Sequence, residues 1–72
     1  MSKEVIKVEG EYIKLQDVLK LSGLCMTGGH AKAAVQNGEV EVNGETCTMR
    51  GKKLRTGDSV SFDGKEIEVM LV

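Results

Sequence analysis

NGEVEVNGE, running from Asn37 to Glu45, is where this 72-residue chain changes its period. Val40 and Val42 alternate with Glu39 and Glu41, the pattern of a strand with one buried face. Asn43-Gly44 is a strong short hairpin signal, because both residues tolerate the positive φ of a tight two-residue turn. It sends the chain back into a strand around Glu45–Cys47. Upstream of Asn37-Gly38 the period is helical. Ala31, Ala34 and Val35 fall at i, i+3 and i+4, a face of small residues that lets the helix pack close to a neighbour. Thr27 is its candidate N-cap.

Further toward the N-terminus, Leu15, Val18 and Leu19 repeat the helical spacing in LQDVLKLSGL, a helix of about two turns. Ser22-Gly23 stops it, and Leu21 and Leu24 are expected to close over its end. Glu4–Val8 is short and β-branched, a strand broken by Gly10. Downstream of the hairpin, RGKKLRTGD reads as a basic loop. Val60–Phe62 is then a strand, Asp63-Gly64 a second tight turn, and Ile67, Val69 and Leu71 the inner phase of a last strand. The order is strand, two short helices, then a four-strand meander: α+β with an antiparallel sheet.

The composition narrows the function. Residues 1–72 form one small domain, and a chain of this size buries only about 60% of its unfolded surface. Two Cys and one His cannot supply the four ligands of a structural zinc site, and no nucleophile and base converge, so neither a metal nor a catalytic set is expected. Cys25 and Cys47 are expected to be reduced, buried and inert. MSKEVIKVEG has no apolar signal core, no run reaches the ~20 residues of a membrane span, and a cytoplasmic monomer is the expectation.

The formal net charge is −1, but the charges are segregated. Residues 13–38 and 46–57 hold Lys14, Lys20, Lys32, Arg50, Lys52, Lys53 and Arg55 against Asp17 alone. All the other acids lie elsewhere, with only Lys3, Lys7 and Lys65. A polyanion binder and a mixed solvated surface both fit that pattern. Thr27-Gly28-Gly29-His30-Ala31-Lys32 leaves two readings open as well. A helix N-terminus presents unpartnered amides, Gly28 and Gly29 leave them approachable, and His30 and Lys32 could join a phosphate there. Alternatively Thr27 caps, the glycines make a tight entry and Lys32 is solvated. A nucleotide P-loop fits poorly, since Ala33 follows Lys32 where Ser or Thr is needed. Arg50, Lys52, Lys53 and Arg55 place four cations in six residues, suited either to a phosphate backbone or to a solubilising loop.

Taken in order, Leu15-Gln16-Asp17-Val18-Leu19, a second helix, Gly38-Glu39-Val40-Glu41-Val42-Asn43-Gly44, a basic loop and Gly57-Asp58 resemble the S-four domain, an RNA-binding domain named after ribosomal small-subunit protein four. The resemblance covers about residues 13–62. It implies an alpha-L type motif that binds structured RNA without catalysis or cofactor, typically ribosomal RNA or a ribosomal particle. It places the RNA face on Thr27, Gly28, Gly29, His30 and Lys32, and on Arg50, Lys52, Lys53 and Arg55. Many members carry a Ser-Arg pair and a further Arg where this chain has glycines and one Lys. The glycine version looks like the small stand-alone bacterial members. Phe62 is expected in the core and Tyr12 partly exposed, so no aromatic platform is foreseen, and folded or duplex RNA read by shape and phosphates is the expected target. The rival is a β-grasp protein-interaction or regulatory module. A sulfur carrier of that fold would need a Gly-Gly C-terminus, and this sequence ends Val69-Met70-Leu71-Val72.

Overall fold

A computed structural model describes residues 2–72. Its elements are β1 (Ser2–Val8), β2 (Ile13–Lys14), α1 (Leu15–Leu21), α2 (Gly28–Gln36), β3 (Val40–Val42), β4 (Glu45–Thr46), β5 (Lys53–Leu54), β6 (Ser59–Phe62) and β7 (Lys65–Leu71). The α+β class and the two helices stand as read from the sequence.

The helix ends follow from local chemistry. Lys14 offers no side-chain cap to α1. Instead the amides of Leu15 and Gln16 donate to the carbonyls of Lys52 and Arg50 at 2.9 and 3.0 Å, so the basic loop closes this helix end. The other end closes through Gly23 at φ 80°, with the Cys25 amide donating to the Leu19 carbonyl at 3.0 Å. Leu24 packs against the core, whereas Leu21 is 66% exposed. Leu21 lies two residues beyond Leu19, about 200° around the helix and off the buried face. Thr27 caps α2 as its sequence suggests: its Oγ1 accepts from the His30 amide at 3.0 Å.

The sheet differs from a simple meander. Its order is β1-β7-β6-β3-β4. β3 pairs antiparallel with both β4 and β6, and β6 pairs antiparallel with β7. After β4 the chain leaves the sheet to form β5, which pairs with β2 beside the start of α1. On its return, β6 takes the free edge of β3 instead of the edge of β4. β1 then adds in parallel to β7, in a register that sets Ile6 beside Val69 and Val8 beside Leu71. The sheet is therefore mixed, and β1 extends its apolar face.

Leu15, Val18 and Leu19 of α1, Ala31, Ala34 and Val35 of α2, and Val40, Val42, Val60, Ile67 and Val69 of the sheet share one core with Ile13, Cys25 and Leu54. The helices thus cover one face of the sheet. Phe62 packs against this core without being fully buried. Both cysteines are free, but only Cys25 is buried as expected, since Cys47 lies half-exposed where the chain leaves β4; burial pushes the Cys25 thiol up, with a smaller contribution from Glu39.

Candidate nucleic-acid interface

The backbone of the basic segment is fixed at both ends. On one side are the two carbonyls that receive the α1 amides, with a turn closed by the Lys52 amide donating to the Met49 carbonyl at 3.1 Å. On the other side the Arg55 amide donates to Asp58 Oδ2 at 2.8 Å. Asp58 Oδ1 accepts from Asn43 Nδ2 at 3.1 Å, and Asn43 Oδ1 accepts from the Ser59 amide at 3.0 Å. Asn43 holds φ 53° and Gly44 φ 85°, as a tight hairpin turn requires. The hairpin Asn and the Gly57-Asp58 pair, separate motifs in the sequence, meet here and hold the end of the basic segment. Side-chain bonding between residues so far apart in sequence leaves no local signature.

Arg50, Lys52, Lys53 and Arg55 all project into solvent. Among the described residues the ion pairs are Lys3–Glu68 and Lys20–Asp17, so none of these four is neutralised by a carboxylate. Lys3 is held above the usual lysine range by its hydrogen bond to Glu68 and the charges of Glu68 and Glu66. Lys53 stands directly opposite Lys14 in the β2–β5 ladder. Like charges at that spacing repel and weaken a strand pair. Lys53 Nζ lies 4.9 Å from the centre of the Tyr12 ring, a cation–π contact.

At the start of α2, Gly28, Gly29, His30 and Lys32 are exposed. The first two amides of the helix have no intrahelical acceptor. His30 also braces the entry. Its Nδ1 accepts from the Met26 amide at 3.4 Å, and its ring meets Phe62 edge-on at 6.2 Å. Accepting at Nδ1 leaves the proton of the neutral ring on Nε2. The basic segment meets the N-terminal end of α1, and residues 22–27 lead from the other end of that helix to α2.

Six of the nine glycines have positive φ. The other three are Gly28, Gly29 and Gly51, all within the two candidate segments. A Cβ at Gly28 or Gly51 would meet nothing within 4 Å, and at Gly29 only Thr27 Oγ1 at 3.9 Å. Neither backbone conformation nor packing demands glycine at these positions.

The two-helix, mixed-sheet architecture matches a known class. A family model for the S4 domain matches residues 6–70, and the chain belongs to that family, the S-four family of the sequence resemblance. Among its relatives is the Escherichia coli (strain K12) protein named "Putative RNA-binding protein YbcJ", 37% identical over 59 residues, covering 82% of this chain and 84% of the relative. Another is the Bacillus subtilis (strain 168) protein named "Probable ribosome maturation protein RlbA", 41% identical over 59 residues, covering 82% of this chain and 83% of the relative. The solution structure of YbcJ from E. coli, described as revealing an αL motif involved in RNA binding, superposes with a TM-score of 0.65 at 33% identity, covering 97% of this chain and 87% of that one. These matches replace the β-grasp alternative.

Proposed function

We propose that this chain binds folded RNA through phosphate contacts and catalyses no reaction, and that its target is ribosomal RNA or a ribosomal subunit. The observation that carries this reading is the basic segment: four exposed cations without carboxylate partners, on a backbone pinned to α1 at one end and to Asp58 at the other. A fixed backbone lowers the ordering cost of binding, and Arg50 and Arg55 can each grip a phosphate with two hydrogen bonds. The α2 N-terminus adds a second, weaker contact through the amides of Gly28 and Gly29 and the charge of Lys32. The three glycines that folding does not require support it, since each leaves the backbone open to a close approach from outside. The Lys14–Lys53 opposition supports it too, because a bound phosphate would relieve that repulsion.

The relatives' names point the same way, one to RNA and one to ribosome maturation. Action in the cytoplasm as a monomer belongs to this proposal. Co-sedimentation with purified ribosomal subunits tests the ribosomal part. The reading predicts subunit-bound protein at low salt that is released as salt rises. Equal, salt-insensitive recovery with and without subunits contradicts it.

A further inference from the structure

Beside the basic segment lies a groove of about 380 Å³, within the range of small-ligand sites. Val8, Tyr12, Ile13 and Leu21 form its apolar walls. Tyr12 and Leu21 are 38% and 66% exposed, a large apolar surface that the fold leaves uncovered. Lys14, Lys20 and Asp17 complete the lining, and Lys20 Nζ stands 3.8 Å from Asp17 Oδ1. Tyr12 also carries Lys53 over its ring, so the groove is continuous with the basic segment.

We propose that this groove takes one unstacked nucleobase from the RNA held by the basic segment. The inference rests on the RNA-binding reading above. Charge complementarity favours a nucleotide: Lys14 and Lys20 line the groove with Asp17 as the one acid, and Lys53 stands over Tyr12 at its side, which suits a base still attached to its phosphates. The apolar walls and the Tyr12 ring suit the flat face of a base. Asp17 beside Lys20 sets an acceptor next to a donor. The polar edge of a base offers the complement, an N–H donor beside a ring or carbonyl acceptor. Recognition would then not rest on duplex shape alone, because Tyr12 supplies the stacking ring whose absence the sequence suggested.

The test compares two RNA hairpins that differ only by a single bulged guanosine, bound to the full chain and followed by fluorescence anisotropy and by amide NMR shifts. The bulged hairpin is expected to bind about tenfold tighter, the scale of one base stacked on an aromatic ring, and to shift the amides of Val8, Ile13 and Leu21. Leu21→Ser should remove that advantage while leaving the matched hairpin's affinity unchanged, and Tyr12→Ala, which also frees Lys53, should abolish the difference between the two hairpins. Both side chains are exposed, so both variants should fold. Equal affinity for the two hairpins, with the groove amides unmoved, overturns the base site and leaves the phosphate reading standing. Failure to bind either hairpin overturns the phosphate reading itself. Groove shifts produced by an apolar helical peptide and not by the bulged RNA overturn the proposal in favour of a protein partner.

Discussion

Gly28 and Gly29 sit in ordinary helical backbone with room for a side chain, yet glycine weakens a helix by roughly 0.5–1 kcal/mol relative to Ala. Their use is therefore sought outside the fold. Gly29→Glu separates the two roles. An acidic residue in the first turn favours the helix dipole, so thermal stability should hold or rise. The same carboxylate would repel a phosphate, so RNA affinity should fall. A stable variant with undiminished affinity would remove the α2 terminus from the interface. Thr27 is the structural counterpart. Thr27→Ala removes the cap bond to the His30 amide and should cost about 1 kcal/mol in urea denaturation. At this scale the sequence is legible where one residue acts on its neighbours, as with the Thr27 cap, Gly23 and the Asn43-Gly44 turn. Leu21 departs from its expected place because hydrophobicity alone does not bury a residue, and its angle on the helix faces it outward.

Among the elements, the helices and the strands β3, β6 and β7 announce themselves through their periods. The β2–β5 ladder does not, since two residues are too few to show an alternation. That ladder matters, because it anchors the basic segment beside α1. Leu54, fully buried in β5 opposite Ile13, holds it to the core. Leu54→Ala should cost about 2–5 kcal/mol, a large part of the roughly 4–11 kcal/mol available to a chain of this length, and denaturant titration would read it. Lys14→Glu tests the opposed lysines. Converting repulsion to attraction across the ladder should stabilise the free protein by about 0.2–1 kcal/mol and weaken RNA binding. Reduced stability in that variant would show that the opposition of Lys14 and Lys53 is not a strain on the ladder.

For the whole molecule, charge and architecture coincide. The basic segment is tied to the end of α1, on the helix side of the sheet. Glu41 and Glu66 share a row through Ser61 on the opposite face, where Glu68 lies with Lys3 and Lys7. That mixed face offers a polyanion less than the unpaired cations on the helix side do. The segregation is visible in the sequence as an imbalance between stretches. Its assignment to two faces needs the strand register and the pairing of the basic segment with α1. The added parallel strand β1 and the return of β6 to β3 are likewise long-range choices, set by which sheet edges stay open. The most direct test of the central claim is the salt dependence of binding to a folded ribosomal RNA fragment, for the wild type and for the variant with Arg50, Lys52, Lys53 and Arg55 all changed to Ala. Every phosphate that the variant no longer neutralises should flatten the log–log slope by roughly 0.7–0.9, so the account predicts a markedly shallower slope and weaker binding for the variant. An unchanged slope and affinity would contradict it.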